Sequence, residues 1–105
     1  MIKRIWHGYT TPENADVYEN LLKTEIFPGI AAKNVKGYKS IELLRRELND
    51  EVEFITIMEF YSIKAVKEFA GENYAHGYVP ASARKVLKRF DAESQHYELR
   101  ERLSY

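Results

Sequence analysis

Residues 38–61 have the sequence YKSIELLRRELNDEVEFITIMEFY, in which two long runs alternate apolar side chains with charged ones. The polar pair Asn49-Asp50 separates the two runs, and residues of this kind favour tight turns. We therefore predict a β-hairpin with strands at 38–48 and 52–61. The hairpin decides the fold, because the flanking elements must pair with its strands or pack on its faces.

The segment before the hairpin predicts one strand followed by one helix. Residues 2–9 are rich in β-branched and aromatic types, which favour a strand. Thr11 is placed to cap the helix, and Pro12 suits the first turn, where its missing N–H has no partner. Pro28-Gly29 is predicted to end the helix. The apolar stripe of this helix consists of Ala15, Tyr18, Leu21, Leu22 and Ile26.

The segment after the hairpin predicts a second helix and a last strand. Ser62 is the expected cap of a helix at 63–70, and Gly71 is expected to end it, because glycine readily adopts a left-handed conformation. Residues 81–87 are compatible with a short helix or with the start of a strand. Residues 93–99 predict the last strand.

The predicted element order is β-α-β-β-α-β, which is the split βαβ or ferredoxin-like motif. Such a chain forms an α+β fold with an antiparallel four-stranded sheet and both helices on one face. The length of 105 residues is close to the commonest domain size, so we expect a single domain over residues 1–105.

The third predicted strand is apolar on both of its faces. Its even positions include Phe54 and Met58, and its odd positions include Ile55 and Ile57. Strands that are apolar on both faces are covered on both faces, yet two helices cover only one. We therefore expect a homodimer in which a second subunit covers the other face. The alternative is a sheet face with scattered exposed apolar side chains.

Composition excludes several classes of protein. Lys+Arg and Asp+Glu both number 16, so the net charge is zero and no basic surface indicates a nucleic-acid partner. Cys is absent, which excludes disulfides, thiol nucleophiles and cysteine metal sites. No apolar stretch is long enough to span a membrane, and the polar start is unlike a signal peptide. We expect a cytoplasmic protein without nucleic-acid or membrane partners.

Short motifs occur in a fixed order along nearly the whole chain. They are Trp6-His7-Gly8-Tyr9-Thr10, Ala15-x-x-Tyr18-x-x-x-Leu22, Gly37, Leu44-Arg45-Arg46, Ser62-x-x-Ala65-x-x-x-Phe69-Ala70-Gly71, Tyr78-x-Pro80 and His96-Tyr97-Glu98. Together they resemble the antibiotic biosynthesis monooxygenase-like domains of the dimeric α/β-barrel superfamily. The resemblance implies a ferredoxin-like homodimer with facing sheets and a ligand pocket between sheet and helices. It also implies oxidation of a small aromatic or quinol-like compound by O2 without a cofactor.

That reaction requires removal of a substrate proton and stabilisation of the resulting oxyanion. The candidate catalytic residues are His7 and His96 as bases, since imidazole titrates near neutral pH, and Arg46 beside the oxyanion. The candidate substrate-binding residues are Trp6, Arg45, Phe69, Tyr74 and Tyr78. Consecutive strand residues face opposite ways, so only one member of Trp6/His7, of Arg45/Arg46 and of His96/Tyr97 can line a given pocket.

Haem and metal sites are the cofactor alternatives. The haem-degrading branch of the superfamily needs an Asn in strand one, a Trp in helix two and a following His ligand. The matching positions hold His7, Phe69 and Val79, and His76 falls short of the ligand position, so we expect no haem. The three His lack the helical spacing of a zinc site, although neighbouring strands could bring His7 and His96 together. No cofactor and no metal are therefore expected.

Two other functions stay open at this point. The chain could be a non-catalytic dimeric module that binds a small hydrophobic ligand, which requires an apolar pocket without an active base. It could also be an interaction module whose sheet face serves assembly, which a filled pocket would favour. A fold hosts many functions, so the residues of the pocket must decide among the three.

Overall fold

The hairpin predicted from residues 38–61 is present and forms one edge of the sheet. A computed structural model describes all residues from 1 to 105. The hairpin consists of β2 (Tyr38–Glu47) and β3 (Val52–Phe60), which pair antiparallel. The first strand, β1 (Ile2–Thr10), pairs with the other side of β3 over its full length. The predicted bounds of these three strands are therefore correct to within one residue.

The helical stretch between β1 and β2 is longer than predicted. It begins with a 3₁₀ turn at Pro12–Asn14 and continues through α1 (Ala15–Leu21), a π-helical turn (Leu22–Ile26) and α2 (Phe27–Ala31). The prediction that Pro28-Gly29 ends the helix is wrong. The Phe27 N–H bonds the Leu22 carbonyl, five residues back, so α2 starts afresh with Pro28 in its first turn.

The predicted cap of this stretch is also wrong. The Thr11 side chain makes no capping hydrogen bond; its backbone carbonyl instead accepts from the Asn14 N–H at 3.1 Å. The position of Pro12 in the first turn is confirmed. A 3₁₀ turn uses this i to i+3 bond, which replaces the side-chain cap.

The second half of the chain follows the prediction more closely. Helix α3 (Ile63–Ala70) begins after Ser62, whose side chain accepts from the Ala65 N–H, and ends at Gly71 with φ +89°. Residues 81–87 resolve to a short helix, α4 (Ala81–Arg84). The last strand is interrupted: β4 (Arg89–Phe90) and β5 (Gln95–Glu98) both pair with β1.

The sheet order is β2-β3-β1, with β4 and β5 sharing the fourth position beside β1. All pairs are antiparallel, so the predicted ferredoxin-like α+β fold is confirmed, with five strands in place of four. Even-numbered residues of β1 and β3 face the helices; the buried core there includes Trp6, Phe54, Met58 and Phe60. We call this side of the sheet the helix face.

The opposite side, which we call the open face, has no helix on it. It carries the odd-numbered residues of β1 and β3 and the even-numbered residues of β2 that pair with them. Ile55 and Ile57 are half-buried there, whereas Leu44 is 48% exposed. The two-faced apolar pattern predicted from the sequence is therefore present in the protomer. None of the helices is both long and apolar enough to cross a membrane.

Candidate functional site

A small cavity lies between the helix face of the sheet and the helices. Its volume is about 40 Å³, which corresponds to about three water molecules. Twelve of its sixteen lining residues are hydrophobic, and the π-helical turn contributes Leu22 and Ile26. The π turn places both side chains toward the sheet, which is a common use of such turns at binding sites. The cavity is therefore an apolar compartment with few polar groups.

Trp6 forms one aromatic wall of the cavity, and its orientation is fixed on several sides. Its indole N–H donates to the Asp91 carbonyl at 2.8 Å. A Cβ on Gly8 would lie 2.8 Å from the indole ring, and a Cβ on Gly77 would lie 2.8 Å from Nε1. Glycine at both positions is therefore required for the ring to lie flat against the backbone.

Phe69 and Tyr78 also contribute aromatic rings to the cavity lining. Their rings meet edge to face, with centroids 6.0 Å apart. The Lys33 ammonium lies 4.6 Å from both ring centroids, within the range of cation–π attraction. Tyr78 is 45% exposed, so this pair of rings and Lys33 mark the mouth of the cavity.

Arg4 is the single charged residue in the cavity lining, and it is 3% exposed. Its Nη1 donates to the Tyr74 carbonyl at 2.6 Å and contacts His96 Nε2 at 2.9 Å, and its Nη2 donates to the His76 carbonyl at 2.8 Å. A guanidinium has five N–H donors, so two protons, on Nε and Nη2, are not used by these bonds. These two donors are available to a ligand.

No carboxylate pairs with this buried cation. The ion pairs of the protein involve other basic residues, and the lining contains neither Asp nor Glu. Burial lowers the pKa of Arg4 to about 10, which leaves the group charged at neutral pH. Its guanidinium also lies 5.6 Å from the Phe69 ring centroid. An unpaired buried charge is costly, and this one faces a cavity.

His96 lies directly behind Arg4. A guanidinium has only donors, so His96 Nε2 must accept, and the imidazole is neutral with its proton on Nδ1. Burial, followed by the charge of Arg4, lowers the pKa of His96 and favours the same neutral form. Its ring packs edge to face on Tyr74 at 5.1 Å. His96 is therefore a neutral imidazole at neutral pH. It does not line the cavity but contacts Arg4, which does.

The predicted site residues separate into three groups. Trp6, Phe69 and Tyr78, which the sequence analysis proposes as substrate-binding residues, line the cavity. Tyr74 and His96 support Arg4 from behind. The other three predicted residues, His7, Arg45 and Arg46, make no contribution to the lining.

His7 lies on the open face, away from the cavity. Its Nδ1 is 2.8 Å from Asp91 Oδ2, and its backbone N–H donates to the same oxygen at 3.2 Å. The possibility that His7 and His96 come together is wrong. The register pairs Arg4 with His96, so His96 shares the helix face with the even residues of β1, whereas His7 is odd.

The two arginines of β2 are both held by carboxylates. Arg46 lies on the open face, where its guanidinium bonds Glu53 at 2.7 Å, so it cannot stabilise an oxyanion in the cavity. Arg45 lies on the helix side of the edge strand and bonds Asp16 at 2.8 Å and Glu19 at 3.0 Å. These contacts raise the pKa of Arg45 and connect α1 to the sheet.

Arg4 is a candidate functional residue that is not among those predicted from the sequence. A signal for it exists in the sequence: Ile2, Arg4, Trp6 and Gly8 alternate on one face of β1, and the charge interrupts an otherwise apolar series. A charge on the buried face of a strand is unusual and marks a candidate functional position. No group of three or more His, Asp and Glu side chains is placed to hold a metal ion.

Comparisons with known proteins identify the fold. No protein-family profile matches the chain, and no curated protein matches it in sequence. A candidate antibiotic biosynthesis monooxygenase from Bacillus cereus superposes with a TM-score of 0.68 at 14% identity, over 99% of this chain and 97% of that one. Rv0793 from Mycobacterium tuberculosis superposes with a TM-score of 0.63 at 18% identity, over 98% of both chains. The first of these solved structures is named after the family whose motifs the sequence resembles.

Proposed function

We propose that the protein is a cofactor-independent monooxygenase that oxidises a small aromatic or quinol-like compound with O2. The observation that carries this proposal is the apolar, aromatic-walled cavity with one buried guanidinium, Arg4, and a neutral imidazole, His96, beside it. A flat ring suits the walls formed by Trp6 and Phe69. The solved structure from Bacillus cereus, which is described as a candidate antibiotic biosynthesis monooxygenase, supports the same assignment.

The chemistry requires one proton transfer and one stabilised anion. Arg4 lowers the energy of the substrate oxyanion, and His96 is the nearest neutral base for the proton. For the oxidation of a ring CH2 to C=O, the substrate supplies all the electrons. Two C–H bonds break, one oxygen atom enters the product, and the other leaves as water with the two hydrogens. No external reductant is needed.

A ring needs more space than the cavity of about 40 Å³ offers. An engineered cavity that binds benzene has about 150 Å³. The wall that can yield is the segment 78–80, which has no helix or strand, lines the cavity and follows the Tyr74 and His76 carbonyls that bond Arg4. Ligand entry therefore requires outward movement of this segment, and hydrogen exchange of its amides should report that movement.

A second candidate function is a non-catalytic dimeric module that binds a small hydrophobic ligand. The observation that favours it is the contact between His96 and Arg4, because the lone pair of Nε2 is already engaged. No His, Asp or Glu side chain lines the cavity itself. Under this alternative, the ring binds and neither His96 nor O2 contributes.

Oxygen uptake separates the two candidates. We would measure O2 consumption with a panel of quinols and anthrones for the wild type, for His96→Gln and for His7→Gln as the matched control on the open face. The monooxygenase predicts turnover that falls by about 10²-fold or more in His96→Gln and is retained in His7→Gln. Saturable quenching of Trp6, the single tryptophan, without O2 uptake would identify the binding module. Neither quenching nor uptake would favour a purely structural role.

The homodimer is part of the same proposal. The open face of the protomer exposes Leu44 beside half-buried Ile55 and Ile57, and the sheet of a second copy would cover this face. Leu44→Lys should therefore dissociate the dimer in analytical ultracentrifugation. Val17→Lys is the control, since Val17 is 54% exposed on α1. A wild type that sediments as a monomer at micromolar concentration would reject the dimer.

A further inference from the structure

The charge of Arg4 indicates what kind of ligand the cavity accepts. We infer that the ligand binds as an anion whose ionised oxygen pairs with Arg4. This inference rests on one part of the proposed function, which is the assignment of the cavity as the ligand site. The cognate compounds would then be aromatic acids or acidic phenols, and neutral rings would bind weakly. The shared chemistry is an anionic oxygen attached to a ring, as a carboxylate or as a phenolate.

The first argument is the absence of a protein counter-ion. Arg4 is 3% exposed, and all three of its hydrogen bonds go to uncharged acceptors: two backbone carbonyls and a neutral imidazole. Transfer of an ion from water into a protein interior costs several kcal/mol, and an oppositely charged partner offsets that cost. An anionic ligand would supply the partner that the protein lacks.

The second argument is geometry. The Tyr74 and His76 carbonyls and His96 hold the guanidinium plane in place, while Nε and one Nη2 proton stay free of these partners. Nε and Nη2 form one edge of the guanidinium, and such an edge can pair with a carboxylate through two parallel hydrogen bonds. The fork is therefore preorganised, so little side-chain entropy is lost when an anion binds.

The third argument is the charge at the mouth of the cavity. Lys33 lies over Phe69 and Tyr78, and Phe69 also contacts Arg4, so one cation stands at the mouth and a second stands inside. The lining between them has no acidic residue. A pair of cations along one path attracts anions from solution and repels cationic compounds.

A purely structural role for Arg4 makes a different prediction. Arg4 connects the 74–76 backbone to β1 through two carbonyls, and an uncharged donor could make such bonds as well. If the connection were its whole role, the charge of the ligand would not matter. The two roles therefore differ in the preference for charged over neutral ligands, and not in stability alone.

The test compares two ligands that share one ring. Calorimetric titration would measure the binding of 2,5-dihydroxybenzoate and of hydroquinone, its neutral parent, to the full-length protein at neutral pH. We expect the wild type to prefer the carboxylate by about tenfold or more, which corresponds to ~1.4 kcal/mol. Arg4→Gln should remove this preference, so that the two ligands bind with similar affinity. Arg46→Gln, which removes an arginine from the open face, should retain the preference.

A third ligand distinguishes the two sources of the anion. Bound 4-nitrophenol changes its absorption spectrum when it ionises, so the spectrum reports whether the site lowers the pKa of a phenol. A lowered pKa without a preference for 2,5-dihydroxybenzoate indicates phenolate ligands. A preference for the carboxylate without a lowered phenol pKa indicates aromatic acids. Either result supports the inference.

Three results would overturn the inference. They are equal or tighter binding of hydroquinone without a lowered pKa of bound 4-nitrophenol, a preference that survives in Arg4→Gln, and no saturable binding of any probe. Should Arg4→Gln fail to fold, the wild-type comparison alone decides. Failure of the proposed function is separate. An anion preference without O2 uptake would keep the inference and reject the monooxygenase, and O2 uptake without an anion preference would do the reverse.

Discussion

Replacement of Glu59 by glutamine should destabilise the protein in a pH-dependent way. The Glu59 side chain is 3% exposed on the open face and accepts from Lys3 at 3.0 Å and from Arg102 at 2.6 Å. The Lys39 ammonium lies 3.5 Å away. Hydrogen bonds from Lys3 first, and then from Arg102, lower the pKa of Glu59 from 4.5 to about 2 against the opposing effect of burial. Glutamine keeps the shape and removes the charge.

The magnitude follows from this shift. A difference of about 2.5 pKa units corresponds to roughly 3 kcal/mol, which is an upper limit. Lys39 and Arg102 are 37% and 49% exposed, so solvent screening reduces the expected loss to about 1–2 kcal/mol. Because the folded pKa lies below the unfolded value, this stability is complete above pH 4.5. It is lost as the pH falls toward 2.

Urea denaturation at a fixed protein concentration measures this prediction. The free energy of unfolding of Glu59→Gln should lie about 1–2 kcal/mol below that of the wild type at pH 7, and the two should converge toward pH 2. Glu42→Gln is the matched control, since Glu42 is exposed on β2 and should change stability by less than ~0.5 kcal/mol. A Glu59→Gln difference that stays constant from pH 7 to pH 2.5 would refute the assignment of this stability to the ionised carboxylate.

Three further predictions concern the cavity and α3. In an NMR titration, His96 should have a pKa below 6.5, and Arg4→Gln should raise it; folding should therefore weaken as the pH falls below 6.5, because the unfolded state takes up this proton first. Ser62→Ala should cost about 1 kcal/mol in urea denaturation, whereas Ser62→Asp, which keeps an acceptor for the Ala65 N–H, should cost less. Gly77→Ala should displace the Trp6 ring, with a shift in its fluorescence and a loss of about 1–3 kcal/mol; an unchanged emission spectrum would contradict the close approach of 2.8 Å.

The strands and α3 could be predicted from the sequence because each has a strong local signal. Alternation at 38–61 and the pair Asn49-Asp50 determine the hairpin, and its bounds differ from the prediction by one residue. The Ser62 cap and the Gly71 end of α3 are also local, since each depends on one residue type in one conformation. The element order then restricts the topology to the ferredoxin-like motif.

The extension of the first helix could not be predicted, because it depends on a rearrangement of hydrogen bonds. Pro28 removes an N–H and clashes with the preceding turn of a regular helix, so the sequence indicates an end there. The π turn at Leu22–Ile26 changes the bonding partner of Phe27 to the residue five positions back, and the helix resumes. No residue type marks such a turn in advance. The last strand is likewise divided at 91–94, where Asp91 contacts Trp6 and His7.

The candidate site residues of β1 divide into even-numbered residues on the helix face and odd-numbered residues on the open face. Trp6 and His7 are consecutive, and the sequence alone leaves open which of them faces the helices. The register settles this question, because Trp6 pairs with Thr56 on the helix face and His7 pairs with Ile55 on the open face. The prediction of aromatic walls therefore needs only the residue types, whereas the identity of the base needs the register.

The position of Arg4 on the helix face also explains why it is a stronger functional candidate than Arg45 and Arg46. Arg45 and Arg46 lie on an edge strand rich in charge, and each has carboxylate partners, so their positions are explained by structure alone. Arg4 shares its face with Ile2 and Trp6, where an apolar residue would pack without the cost of burying an ion. A charge without a protein partner, at a position where an uncharged side chain would serve folding better, indicates that the partner is a ligand.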